Sequence, residues 1–205
     1  GNRDLTVFTG TFTAEHQQRD WFIFNTKLEA RYGQSNGSRA VDNSAFRLRF
    51  DWRPRDLASP FLGADVERDA IRRIRTRVSG GAGVNLNLIS RDDRRALIAF
   101  GMIGEVEYRD PGISPNEVGE VRFHTRTSYF NALSRDVTLE GTAKFQPAVR
   151  DAADYLASSE ALVRVRLSQS LALTTRFEWK RDSRPAPGVT SRDDRTLTVS
   201  LAIAF

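Results

Sequence analysis

Apolar and polar residues alternate along almost the whole chain, and a period of two admits one backbone conformation, the β-strand with one greasy and one polar face. The last stretch, "RTLTVSLAIAF", states the pattern plainly: Leu197, Val199, Leu201, Ile203 and Phe205 share one parity, and Thr196, Thr198, Ser200, Ala202 and Ala204 the other. The same rhythm recurs in "WFIFNTKLEARY", in "AFRLRFDWR" and from Val78 to Leu88. It returns from Ala96 to Tyr108, Val121 to Tyr129, Val137 to Phe145, Ala161 to Leu167 and Leu171 to Trp179. Two weaker stretches, Leu5 to His16 and Phe61 to Arg68, bring the expected strands to eleven. No amphipathic helical period competes with them.

Alternation alone fits both a soluble β-sandwich, whose apolar faces pack on each other, and a membrane barrel, whose apolar face meets lipid. Three features favour an antiparallel transmembrane β-barrel. The runs last about 9 to 14 residues, enough to cross a bilayer at a tilt and longer than the usual soluble strand. Large aromatics, Tyr32, Trp52, Tyr108, Tyr129, Trp179 and Phe205, stand at the ends of the apolar faces, where interfacial girdles belong. Longer connections ("GQSNGSRAVDNS", "RDAIRRIR", "DPGISPNEV", "PAVRDAAD", "DSRPAPGVTSRDD") alternate with shorter ones ("HQQRD", "PRDLAS", "SRDD", "NALSRD", "SQS"), the sidedness of a bacterial outer-membrane barrel.

That sidedness puts Phe205 at the periplasmic end and Asp182 to Asp194 outside, with Gly1 and Asn2 also outside. Bacterial single-chain barrels have even strand numbers, so the expectation is a twelve-stranded barrel with one strand preceding Gly1 and eleven here. A single domain over residues 1–205 suffices. Ten strands would result if one weak stretch failed.

Composition excludes several chemistries. There is no cysteine, hence no disulfide, thiolate nucleophile or thiolate metal site. The net charge is +5, yet Asp and Glu are interleaved with Arg, and no basic stripe with stacking aromatics marks a nucleic-acid surface. No stretch is long enough for a transmembrane helix, and no secretory signal opens at Gly1.

Of the two histidines, His124 lies on the inward parity of "EVRFHTRTSYF", with Ser128 four residues on. Four residues along one strand span about 13 Å, too far for a nucleophile and its base, so a barrel hydrolase using His124 needs a further polar group. Asp92 with Asp93 and Asp193 with Asp194 are adjacent pairs flanked by arginine, better read as turn caps than as calcium ligands. "GGAG" lies within a strand and has no phosphate-loop Lys; glycine there allows bending or close approach. No catalytic, cofactor-binding or metal residues are assigned.

The informative feature is the inward face. Lys27, Glu29, Arg31, Arg47, Arg49, Asp51, Glu105, Glu107, Glu120, Arg122, His124, Arg126, Lys144, Arg164, Arg166, Arg176 and Glu178 are expected to line the lumen. Twelve strands lie between a barrel filled by its own side chains and an open channel. Two readings follow: a salt-bridged structural plug, or a narrow passive pore whose arginines favour small anions. A soluble β-sandwich binding module is the alternative outside the membrane.

The motifs "GNRD", "FLGADVERD", "GGAGVNLNLI", "SSEALVRVRLSQSLALTTRFEWKRDS" and "PAPG", followed by the closing strand, occur here in order. Together they resemble the salt-induced outer-membrane proteins of Gram-negative bacteria, a family of unknown function, over almost the whole chain. The resemblance implies an outer-membrane β-barrel without an established activity, and in that family a first strand usually precedes the Gly-Asn motif. This chain carries Arg75, Arg77 and Arg176 where relatives often have Tyr or Lys. The closing strand, through Leu201, Ile203 and Phe205, resembles the signal read by the barrel-assembly machinery. That machinery and outer-membrane lipid are the expected partners.

Overall fold

The computed structural model describes residues 5–18, 20–35, 38–189 and 191–203. Its strands are β1 (Leu5–Gln18), β2 (Phe22–Ser35), β3 (Ser38–Trp52), β4 (Ala58–Asp69), β5 (Ile74–Ser90) and β6 (Arg94–Arg109). The remainder are β7 (Glu117–Ala132), β8 (Val137–Pro147), β9 (Tyr155–Arg166), β10 (Leu171–Asp182) and β11 (Asp193–Ile203). They form one eleven-stranded sheet in chain order, and each consecutive pair is antiparallel. Both weak sequence stretches are strands.

Register joins the apolar parities into continuous rows. Phe12 faces Leu28, Leu28 faces Phe46, Phe46 faces Val66, Val66 faces Val78 and Val78 faces Val106. A slip of one residue would turn a whole strand inside out, so alternation on both partners locks each pairing. Among the described residues nothing packs on this face: Phe12 is 62% exposed, Phe123 51% and Leu197 68%. A sandwich would bury such side chains against a second sheet, and the structure has one curled sheet with its polar face on the concave side.

Curvature draws some backbones together on that concave side. A Cβ at Gly83 would meet the carbonyl of Phe100 at 2.1 Å and the ring of Phe61 at 2.7 Å. One at Gly101 would meet the carbonyl of Ala82 at 2.4 Å. Glycine is required at both, which gives "GGAG" its meaning as a close-approach site.

The connections correct the sequence expectation in part. One end carries 19–21, 53–57, 91–93, 133–136 and 167–170, and the other carries 36–37, 70–73, 110–116, 148–154 and 183–192. Three of the long loops stand on the second end, but "GQSNGSRAVDNS" is mostly strand and "RDAIRRIR" is half strand, half the turn 70–73. The ladder of β2 and β3 runs on to Ser35 opposite Ser38. Ladder hydrogen bonds do not require an apolar face, so a hairpin can lose alternation while remaining β. Gly1, Asn2 and Phe205 lie outside the described residues.

Candidate functional site: the charged interior

The inner parities of neighbouring strands carry the ionisable residues, and ladder register sorts them into three levels. At the long-loop end, Arg77 and Arg109 converge on Glu107; Arg109 Nε donates at 2.7 Å, and Arg77 donates through both Nε and Nη2. Arg122, buried, donates to Glu105 at 2.8 Å and reaches loop 148–154, where Nη1 meets Asp154 Oδ1 at 2.9 Å. Arg72 in turn 70–73 bonds Asp182 at 3.2 Å, and the Asp110 amide donates to the Arg73 carbonyl at 3.2 Å. Ile113, Ala148 and Ala186 from three different loops are buried. The long loops therefore close over this end of the interior.

At the waist the pairing runs along one wall. Arg49 Nε bonds Asp51 at 2.8 Å, and its Nη2 bonds Asn85 at 2.8 Å. The Asn85 amide returns to Asp51 at 2.7 Å, and the guanidinium lies 4.2 Å above the Phe61 ring. Arg47 meets Asp65 at 3.4 Å and Glu29 at 3.7 Å, while Lys27 and Arg31 hold Glu29 at 2.9 and 2.6 Å. The opposite wall, on β7 and β8, carries His124, Arg126 and Lys144, and Arg126 stands beside Lys144 in register. Lys144 lies within electrostatic range of Arg47 and Arg49, and Arg126 within range of Arg49. Neither Arg126 nor Lys144 has an ion pair among the described residues, and the Lys144 side chain is exposed to solvent.

Across the free edges, Arg31 on β2 is held by Glu178 on β10 at 3.1 Å, while on the neighbouring strands β10 and β9 Arg176 pairs with Glu160 at 3.3 Å. Glu120 faces Glu105 in register and accepts from the Val121 amide at 3.2 Å. Arg164 and Arg166 are exposed on the inner parity of β9 near the short-turn end. There, too, a cavity of about 360 Å³ opens, lined by Arg126, Ser128, Glu140, Asn25 and Glu15 among others.

His124 is buried, its Nδ1 3.0 Å from the Gln146 amide nitrogen and its ring edge-on to Phe61 at 6.0 Å. The Ser128 hydroxyl meets Thr142 instead, at 3.4 Å. Among the described residues no group of His, Cys, Asp or Glu has the arrangement of a metal site.

Of the expected interface aromatics, Tyr32, Trp52, Tyr108 and Tyr129 stand on the outer parity and are 37–49% exposed. Trp179 is half-buried and donates from Nε1 to Asp193 at 3.0 Å. Leu201 and Ile203 belong to β11, opposite Leu173 and Leu171. The sequence reading missed Trp21, Leu57, Leu133 and Leu167, which rim the short-turn end at 54–73% exposure; a girdle expected only within strands overlooks the turns. It also missed Arg77 and Asn85, although both oppose the apolar parity of β5 and were legible from it. Asp154 and Asp182 come in by loop packing, for which no sequence signal exists.

Comparison with known proteins adds three findings. The model of a family described as protein of unknown function, DUF481, matches residues 1–205. Among curated proteins no match was found. A solved structure, the NanC porin in a rhombohedral crystal form, superimposes with a TM-score of 0.61 over 99% of this chain and 97% of that one, at 7% identity. At that identity the likeness is one of fold.

Proposed function

The chain belongs to the DUF481 family, and we propose that it is an outer-membrane β-barrel forming a narrow passive path for small anions, without catalytic activity. Lipid covers the rows through Phe12, Leu28 and Phe46. Ring closure satisfies the backbone, since hydrocarbon tolerates no open sheet edge. The porin-like fold supports the membrane setting.

One observation carries the choice of pore over plug: at the waist, Lys144 faces Arg47, Arg49 and Arg126 but only one carboxylate, Asp65, and forms no ion pair with it among the described residues. A plug needs opposite charges across the interior, whereas Arg47 and Arg49 take their carboxylates from their own side and leave Arg126 and Lys144 opposite them unpaired. Arg126 and Lys144, which no carboxylate pairs, keep water beside them, and the positive charge left over on their wall raises the local anion concentration.

Conductance of the purified protein in a planar bilayer, with the reversal potential read across a KCl gradient, tests this. Stepwise currents that prefer chloride are expected. A correctly inserted, silent barrel would leave the interior as a structural plug.

A further inference from the structure

The short-turn end of the interior holds ionic groups of both signs that the protein does not pair with one another. Arg126 has neither hydrogen bond nor ion pair among the described residues, and its Nε is buried without a partner. Glu140 and Glu15 line the same cavity of about 360 Å³ and likewise take part in no described ion pair. The other charged lining residues are occupied: Asp51 by Arg49 and Asn85, and Arg95 by the Phe130 ring, 4.6 Å from its guanidinium carbon. A buried donor without a partner is unfavourable, more so when charged, so a ligand that accepts from Arg126 would relieve that cost.

Geometry explains why Arg126 and Glu140 leave each other free. Arg126 pairs with Lys144 and Glu140 with Phe130 across the β7–β8 ladder, which puts the two four residues apart along the strands, about 14 Å. Between them Ser128 and Thr142 present hydroxyls to the gap. We propose that this cavity binds a small zwitterion of the α-amino-acid class, its carboxylate on Arg126 and its ammonium on Glu140, with the hydroxyls and Asn25 around its polar body. A simple anion would satisfy Arg126 and leave Glu140 and Glu15 repelling it. A simple cation would do the reverse. The site rests on the barrel reading only in that solute reaches it through the water-filled interior from the short-turn end.

Equilibrium dialysis of radiolabelled L-glutamine against the detergent-solubilised full chain tests it without needing conductance. Saturable binding is expected, weakened at least tenfold by Arg126→Gln and by Glu140→Gln. Acetate and ethylammonium, which carry one charge each, should compete at least tenfold less well than unlabelled glutamine. Glu140 takes part in no described ion pair, so E140Q remains informative if R126Q folds poorly. Undiminished binding to E140Q, or acetate competing as well as glutamine, overturns the proposal. A silent bilayer with saturable, variant-sensitive dialysis would sink the pore and keep the site; currents without such binding would do the opposite.

Discussion

Arg31 on β2 and Glu178 on β10, separated by 147 residues, share two hydrogen bonds of 3.1 and 3.3 Å. No ladder joins these strands; only the curl of the whole sheet brings them together. The bond sets the height of one free edge against the other, because Arg31 faces Thr9 on β1 and Glu178 faces Thr196 on β11.

That height makes the seam testable. Eleven strands each antiparallel to the next leave β1 and β11 pointing the same way, so direct closure would be a parallel pair, and one further strand between them restores alternation. With Thr9→Cys and Thr196→Cys, both on the inner parity, direct pairing puts the thiols within disulfide reach, whereas an intervening strand separates the backbones by about 10 Å. The expected result is cross-linking by a bismaleimide of that length and no disulfide on oxidation, read as a shift on unfolded gels. A quantitative disulfide would establish the eleven-stranded closure.

Arg122 is the main tie between the sheet and the loops that cover it, joining Glu105 on β6 to Asp154 in loop 148–154. Removing one member of a buried ion pair strands the others, at about 3–5 kcal/mol. Arg122→Ala should lower stability by that order in urea unfolding from lipid vesicles, and protease should then cut within 148–154. Arg122→Lys keeps the charge but loses the fork that spans both carboxylates, and should fall between.

The apolar parity was legible because lipid demands it at every second residue, and ladder register then follows from two alternating partners. Strand extent was not. In "GQSNGSRAVDNS" the β2–β3 ladder runs on to Ser35 opposite Ser38 without an apolar alternation, because backbone pairing does not need one. The inward residues could be listed by parity, but their division of labour could not. Whether Arg49 pairs with Asp51 on its own strand, or Arg31 with Glu178 eight strands away in order, depends on curvature, which no local pattern encodes.

Lipid contact predicts a depth-dependent penalty on the outer face. Met102, on the outer parity of β6 and 48% exposed, lies midway along the apolar run that ends at Tyr108, and Leu133 lies in a rim turn. Arginine costs about 2–4 kcal/mol at the bilayer midplane and about 0–1 near the interface. Met102→Arg should therefore destabilise the barrel strongly in vesicle unfolding and Leu133→Arg hardly at all. Equal, small effects would contradict hydrocarbon on this face.

The loop cover has its own pH response. Asp151, in loop 148–154, accepts from the Ala153 amide at 3.0 Å and from Arg184 of loop 183–192. These bonds, the amide first, hold its carboxyl below the usual aspartate range. A depressed folded value means that the stabilising contribution is complete above the unfolded value, about 3.9, and is lost as pH falls through the lower folded one. Amide protection in 148–154, with the intrinsic pH dependence of exchange divided out, should be flat from neutrality down to about pH 4 and fall only below it. In Asp151→Asn the acid step attributable to this clasp should disappear.

Charge reversal at the waist separates steering by fixed charge from mere pore width. Arg47 and Lys144 lie on opposite walls within electrostatic range of each other, and neither lines the short-turn cavity. Reversing Lys144 places a carboxylate opposite Arg47 and Arg49, where it can form the cross-barrel ion pair that the native waist lacks; Lys144→Glu should therefore lower conductance as well as anion preference. Arg47→Glu with Lys144→Glu reverses one charge on each wall, which restores repulsion between those two positions while Arg49 and Arg126 stay as they are. The double variant should conduct again with the reversal potential shifted toward cation preference. A selectivity unchanged in both would show that these side chains do not face the permeating ion.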